Sequence, residues 1–233
     1  MAIPPPEMVE QISTWLSSAD REQFFEQHRQ RQTRVVEKLK TADLWSAMSP
    51  SERAFVLAAP EQIDVQMLQN VSWLMEAEEC LLWALGHADE LPPYDAQSDV
   101  EHLKRLPSED IVGLVRNARL RNAEVISKAR DVAELWHWRS RTRQLQESGR
   151  AVALPNDLTL VEVIRMAAEK AAGDGLFERA IEGDFPARGR SYAQLTADEW
   201  SEATSIAMER HKALNWLCGY APANKWEDTP TDT

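Results

Sequence analysis

Glu209–Leu217 reads ERHKALNWL and lies in the last long helical segment of the chain. Apolar residues recur at helical spacing before and after it. Arg210 and His211 occupy positions where this apolar stripe should continue. Because buried polar groups need partners, these two side chains predict either a ligand site or an internal polar contact between two helices.

The helix that could supply such partners runs from about residue 63 to about residue 85. It is apolar on nearly all sides, which is typical of a centrally buried helix. Glu76 and Glu79 lie on its narrow polar strip, and Glu78 points nearer its apolar rows. A buried carboxylate must be paired, protonated or functional, because its charge is costly to bury.

Two interpretations of these polar groups stay open. In the first, Arg210 donates two hydrogen bonds to a carboxylate such as Glu76 or Glu78, and His211 is a core histidine whose hydrogen bonds are satisfied. In the second, His211 is a general base or an anion-binding group, oriented by Glu209 or by a glutamate of the central helix. No serine or cysteine nucleophile stands in an obvious motif nearby.

Capping boxes mark the starts of three helices, each with a Ser or Thr and a Glu three residues later. They lie at residues 49–52, 159–162 and 196–199, and strand signals are nearly absent. The sequence predicts an all-α fold, a single compact domain in which the central helix, about 63–85, packs against the last helix, about 196–217. The other predicted helices span about 7–17, 20–39, 51–58, 108–115, 117–146 and 159–172.

The net charge of −12 is unevenly distributed along the chain. Residues 54–103 contain ten Asp or Glu and no Lys or Arg, and so this segment presents a negative field. Residues 104–150 carry eleven basic and six acidic side chains. Among them are Arg139, Arg141 and Arg143, which we interpret as a solvated helix face with local ion pairs.

Because an acidic surface repels nucleic acid, we do not expect the chain to bind nucleic acid. Such a surface favours a basic protein partner. We expect Asp89, Glu90, Asp95 and Asp99 to bind that partner. The sequence leaves the oligomeric state open.

Motifs for cofactors, metals and catalysis are missing from the sequence. There is no Gly-rich phosphate loop and no Gly-x-Ser-x-Gly nucleophile elbow. Glu134 and His137 form one Glu-x-x-His pair, whereas a di-metal carboxylate bundle needs two. No Cys/His cluster has zinc spacing. We therefore assign no catalytic residue, no metal and no cofactor.

Nothing in the sequence predicts export or membrane insertion. The first residues, MAIPPPE, lack a basic region followed by an apolar core, and no uninterrupted apolar run reaches membrane-spanning length. Cys80 and Cys218 each lie in an apolar helical stretch, which is typical of reduced, buried thiols. We expect a cytoplasmic protein without a membrane anchor.

Several segments resemble a widespread bacterial family that is known only as a domain of unknown function. The resemblance is carried by residues 44–56, 72–77, 81–86 (LLWALG) and 209–217 (ERHKALNWL), by Trp226 and by the closing Thr231–Thr233. It implies no activity. It implies that residues 43–233 form the main helical domain, and that residues 1–42 are an N-terminal helical extension.

The leading hypothesis is a non-catalytic protein-interaction module with an acidic face, comparable to immunity proteins that neutralise bacterial toxins. The rival is an enzyme or small-ligand sensor with a polar pocket between the central and last helices, which requires the pocket residues to converge on a solvent-reachable cavity. The residues predicted to line that pocket are Glu76, Glu78, Arg210, His211, Asn215, Trp216, Trp226 and Asp228.

Overall fold

A computed structural model describes residues 18–59, 62–99, 111–149 and 153–233. This part of the chain is mostly helical, and so the all-α prediction is confirmed. The helices are α1 (Ser18–Thr41), α2 (Pro50–Leu57), α3 (Val65–Ala84), α4 (Ile111–Asn117), α5 (Ala123–Ser148), α6 (Leu160–Gly173) and α7 (Ala197–Leu217). The helix predicted over about 7–17 lies outside the described residues. Among the described helices, none combines the length and the apolar composition needed to cross a membrane.

The three predicted capping boxes all form. At the starts of α2, α6 and α7, the hydroxyl of Ser49, Thr159 or Thr196 accepts a hydrogen bond from the N–H of the Glu three residues later. That Glu carboxylate accepts in return from the main-chain N–H of the Ser or Thr. Helix α5 ends at Gly149 with φ of 63°, a left-handed conformation that glycine adopts without a Cβ clash. The local sequence therefore determines these helix ends.

A short antiparallel hairpin, β1 (Pro186–Ala187) and β2 (Arg190–Ser191), precedes α7. Its two-residue turn, Arg188 and Gly189, has φ values of 52° and 75°. Two left-handed residues are what a type I′ turn requires, and this turn matches the natural twist of paired strands. The sequence predicts a loop here, because strands of two residues are too short to show an alternating apolar pattern.

Contacts within the chain define two compact units, and the first includes the described residues 18–59, 62–74 and 111–117. In this unit α1 packs on α2. The side-chain amide of Gln32 donates to the carbonyls of Val56 and Ala58 at 2.6 and 3.0 Å. It thereby satisfies carbonyl groups at the end of α2 that have no partner within the helix.

The second unit comprises residues 75–99 and 118–233. Its main contact is the packing of α5 along α7, and α6 packs on α5. The apolar side chains fully buried in this unit include Ala133 of α5 and Ile206 and Leu214 of α7. The long helix pair forms the frame on which the loops and the hairpin of this unit are held.

The central helix α3 is buried over its second half. The boundary between the two units falls between Leu74 and Met75. The buried members of the helix are Glu76, Ala77, Glu79, Cys80, Leu82, Trp83 and Ala84. This run contains two carboxylates, and buried carboxylates need partners inside the protein.

Candidate functional site

Arg210 of α7 and Glu76 of α3 form a buried ion pair. The guanidinium nitrogens Nε and Nη2 lie 2.9 and 2.7 Å from the same carboxylate oxygen, Oε2. Ser98 donates to both oxygens, from its N–H to Oε1 at 2.8 Å and from its hydroxyl to Oε2 at 2.9 Å. Arg210 is 0% exposed and Glu76 is 2% exposed. The predicted ion pair is therefore confirmed, and it joins the central helix to the last helix.

The rest of the Arg210 guanidinium holds the loop that follows α3. Nη1 donates to the carbonyls of Pro92 and Pro93 at 2.6 and 3.1 Å, and Nη2 donates to that of Ala96 at 3.3 Å. The ring of Tyr94 packs against the guanidinium, whose carbon lies 5.0 Å from the ring centroid. One buried cation therefore fixes this loop against two helices.

His211 belongs to a second buried chain of hydrogen bonds. Arg130 donates from Nε to Oδ1 of Asn215 at 2.8 Å, and so the amide nitrogen of Asn215 must donate to Nε2 of His211, 2.9 Å away. His211 then carries its proton on Nδ1 and donates it to Nδ1 of His137 at 3.2 Å. His137 in turn carries its proton on Nε2. The prediction of a core histidine with satisfied hydrogen bonds is confirmed.

Because of this histidine pair, we expect the free energy of unfolding to fall in mild acid. Burial lowers the pKa of both histidines from 6.5 to about 4; the charges of His211 and Arg141 contribute at His137, and that of Arg130 at His211. Between these two values the unfolded chain binds more protons than the folded chain, and so stability falls as the pH falls. We expect a loss of roughly 3–4 kcal/mol between pH 7 and pH 5.

Urea unfolding at a series of pH values measures this loss. The double variant H137Q/H211Q should show a flatter dependence on pH, because it lacks both depressed groups. The matched variant H28Q, on α1, should keep the dependence of the natural chain. An unchanged dependence in H137Q/H211Q would contradict the assignment to this pair.

The C-terminal tail folds back onto α7. Trp226 packs edge-on against Trp216, with ring centroids 5.8 Å apart. The amide of Asn215 that donates to His211 also donates to the carbonyl of Pro230 at 2.8 Å. Asn215 therefore links the histidine chain to the tail.

The residues predicted to line a ligand pocket separate into three groups: the buried ion pair, the histidine chain and the tail. Glu78 is half-buried on α3, and Asp228 of the tail is exposed. Each buried member of this set contacts other protein groups, and these contacts stabilise the fold. A ligand pocket lined by these residues stays a prediction. Across the described ranges, no three His, Cys, Asp or Glu side chains lie close enough to hold a metal ion.

The four carboxylates predicted to bind a partner lie in residues 87–99, which we call the acidic loop. Asp89, Glu90 and Asp99 are exposed. The side chains of Asp89 and Glu90 make no hydrogen bond or ion pair with any residue that the structure describes. Arg121 donates to the main-chain carbonyl of Asp89 at 3.1 Å and not to its carboxylate. Within the described part of the chain, the exposed charges of Asp89 and Glu90 are therefore not paired.

The acidic loop also forms one wall of a cleft of about 450 Å³ in the second unit. The other walls come from α5, from the segment after α6 and from the tip of the hairpin. The side chains that line the cleft include Pro92, Pro93, Tyr94, Asp95, Trp136 and Phe177. Among the described residues that line the cleft, Asp95 is the only one with a charged side chain.

The hairpin tip holds Asp95 in place. The N–H of Arg188 donates to Oδ2 of Asp95 at 2.6 Å, and Nε of Arg188 donates to the Asp95 carbonyl at 3.0 Å. The Nη2 of Arg188 is paired with Glu202 at 2.7 Å. Within the described ranges, the second carboxylate oxygen of Asp95 has no hydrogen-bond partner. It can therefore accept a hydrogen bond from a molecule outside the chain.

Two arginines of α5 that we interpret from the sequence as solvated are in fact buried. Arg139 is 0% exposed and forms a fork with Asp184, with Nε to Oδ1 at 2.6 Å and Nη2 to Oδ2 at 2.7 Å. Arg143 is 8% exposed, and Arg141 is exposed as expected. The interpretation of a solvated face is therefore wrong for Arg139 and Arg143.

The spacing along α5 contains a signal for this burial. Arg139 and Arg143 follow Trp136 by three and seven residues, and so they share the helix face of a large aromatic side chain. Arg143 donates to the carbonyls of Tyr192 and Leu195 at 3.1 and 2.9 Å. Both arginines thus anchor the hairpin and its continuation to α5.

The second unit is a mostly helical domain in which buried arginines hold loops and a short hairpin against a long helix pair. The chain belongs to the family described as Domain of unknown function (DUF4272), whose model matches residues 10–162. The match includes the LLWALG block of residues 81–86 and ends before the ERHKALNWL block of residues 209–217. No curated protein and no solved structure compared with the chain matches it.

Proposed function

We propose that the chain is a non-catalytic protein-interaction module that binds a basic partner through the acidic loop. The observation that carries the proposal is the position of Asp89, Glu90 and Asp95. Their carboxylate oxygens are left without a cationic partner from the described residues, and Asp95 lines an apolar cleft. In the form of this proposal that resembles the action of immunity proteins, the basic partner is a toxin.

A contrast with carboxylates that are paired on the helices of this unit supports the proposal. Glu134, Glu147 and Glu169 each lie 2.8–3.0 Å from an arginine on the same helix. Neighbouring unpaired carboxylates repel one another, and a cationic partner relieves that repulsion while its charge speeds association. Asp89 and Glu90 are therefore suited to a partner from outside the chain.

The use of the polar groups inside the unit also favours a binding module over an enzyme. Glu76 and Arg210 satisfy one another away from solvent, and His211 has protein groups on both ring nitrogens. A general base must reach the proton that it removes. These groups are better explained by their structural contacts.

Affinity capture from a lysate of the source organism tests the proposal. We expect the natural chain to retain a basic protein, and the charge-reversed variant D89K/E90K to retain about tenfold less of it. Capture should also weaken as the salt concentration rises, because salt screens exposed charges. Quantitative mass spectrometry of the captured protein gives the readout.

The matched control is E22K/E37K, which makes the same change of net charge at two exposed positions of α1. It should retain the partner as the natural chain does. Equal capture by D89K/E90K and the natural chain would overturn the proposal, as would equal losses in both variants, since the effect would then follow net charge alone.

A further inference from the structure

We infer that the cleft receives an aliphatic side chain of the basic partner, placed next to a lysine or arginine that pairs with Asp95. This inference rests on the proposed function and names the part of the partner that the acidic loop recognises. It follows from the chemistry of the cleft walls, from the ring surfaces that the protein already uses, and from the Asp95 oxygen that has no partner among the described residues.

The walls of the cleft are suited to an apolar group. Besides Tyr94, Trp136 and Phe177, they consist of aliphatic side chains, prolines and a glycine, with Asp95 as the charged exception among the described lining residues. The volume of about 450 Å³ falls in the range of roughly 300–1,000 Å³ that is usual for ligand pockets. Interfaces commonly bury one apolar anchor in such a pocket, with charged groups around it.

The aromatic rings at the cleft are already engaged by protein groups, which argues against a cation as the buried group. The ring of Tyr94 packs against the Arg210 guanidinium and stacks on Trp136, with centroids 5.6 Å apart and planes 5° apart. Phe177 and Phe185 meet Trp136 edge to face. A cation binds over a free ring face, whereas an aliphatic side chain packs against any apolar wall.

The charge of the partner is set by Asp95 and its neighbours. Oδ2 of Asp95 accepts from the N–H of Arg188, and Oδ1 has no partner in the described part of the chain. Asp89 and Glu90 add two exposed carboxylates within six residues along the same loop. A lysine or arginine beside the aliphatic residue would meet Oδ1, and further basic residues would face Asp89 and Glu90.

Synthetic peptides test this arrangement directly. The probe is fluorescein-labelled Gly-Ser-Leu-Lys-Leu-Lys-Ser-Gly, and its counterparts carry serine in place of leucine or glutamate in place of lysine. By fluorescence anisotropy we expect the probe to bind with a Kd of about 1 mM or tighter, and each counterpart to bind about tenfold more weakly. Methyl NMR of the unmodified protein should show shifts at Val132 on adding the probe, because Val132 lines the cleft.

Two variants and one control locate the site. A129F fills the cleft and should weaken the probe about tenfold, whereas D95N keeps an acceptor for Arg188 but removes the charge and should weaken it about threefold. V125F places the same ring on the same helix at a position that is 44% exposed and outside the cleft, and should bind as the natural chain does. Thermal melts of all three report folding.

The outcomes separate the inference from the proposed function. If the serine counterpart binds as well as the probe, or if Val132 does not shift, the cleft inference is overturned while capture through Asp89 and Glu90 stands. If lysine and glutamate peptides bind alike, the pairing with Asp95 is overturned. A dimer of the natural chain that A129F dissociates in sedimentation would overturn the inference in favour of a second copy as the occupant. If D89K/E90K captures as much of the partner as the natural chain does, the proposed function itself is overturned.

Discussion

Replacing Arg210 by methionine is expected to lower the free energy of unfolding by about 3–5 kcal/mol. The guanidinium is 0% exposed and donates to Glu76 and to the carbonyls of Pro92 and Pro93. Its removal leaves a buried carboxylate whose remaining partner is Ser98, and it frees carbonyls that lose their donor. Urea unfolding followed by circular dichroism measures the loss.

Two further variants show whether the ion pair is the cause. E76L/R210M should lose less stability than R210M alone, because no charge then stays buried without its partner. Arg165 is 52% exposed and pairs with Glu169 at 3.0 Å, and so R165M should change the free energy by less than about 1 kcal/mol. Similar urea midpoints for R210M and R165M would contradict the prediction.

The second large effect is expected from Asp184. Its carboxylate accepts two hydrogen bonds from Arg139, one from the N–H of Phe185 at 2.7 Å and one from the N–H of Ala193 at 3.0 Å. D184A should destabilise the protein by about 3–5 kcal/mol, because it leaves the buried Arg139 charge without a counterion. Hydrogen exchange should show lost protection at residues 181–195, which this carboxylate holds together.

The matched control removes a carboxylate from another arginine of α5. Glu147 is 50% exposed and lies 3.0 Å from Arg143, and so E147A should cost less than about 1 kcal/mol. D184N should fall between the two, since an amide keeps one acceptor and loses the charge. If D184A and E147A unfold alike, the buried fork does not contribute as argued.

The sequence was a good guide where the contacts are local. The capping box of Thr159 and Glu162 lies within four residues, and each of its hydrogen bonds forms as expected. The same holds for Gly149, whose left-handed conformation ends α5. Helix ends of this kind depend on neighbouring residues, and so they can be predicted without knowledge of the fold.

The buried ion pair was predictable in type but not in detail. Arg210 and a glutamate of the central helix both interrupt apolar surfaces, which suggests that they meet. Arg210 pairs with Glu76 and not with Glu78, and Ser98 donates hydrogen bonds to the Glu76 carboxylate. Both details depend on where the acidic loop returns to α3. That path is a property of the whole unit.

Two other buried pairs could not be predicted from the sequence. His137 lies 74 residues from His211, and Asp184 lies 45 residues from Arg139. Nothing in the spacing of the histidines or of the aspartate distinguishes them from exposed residues of the same type. The cleft could not be predicted from the sequence either, because its walls come from four separate segments of the second unit.

By itself the sequence determined the helices, their capped ends and the need of Arg210 and His211 for buried partners, because periodicity, capping and the cost of burying a polar group act at the level of a few residues. Only the tertiary structure decided which partners those are. It also decided that Arg139 and Arg143 are internal, and that Asp95 borders an apolar cleft. A buried charge must be paired, but its counterion can come from anywhere that the packed chain passes.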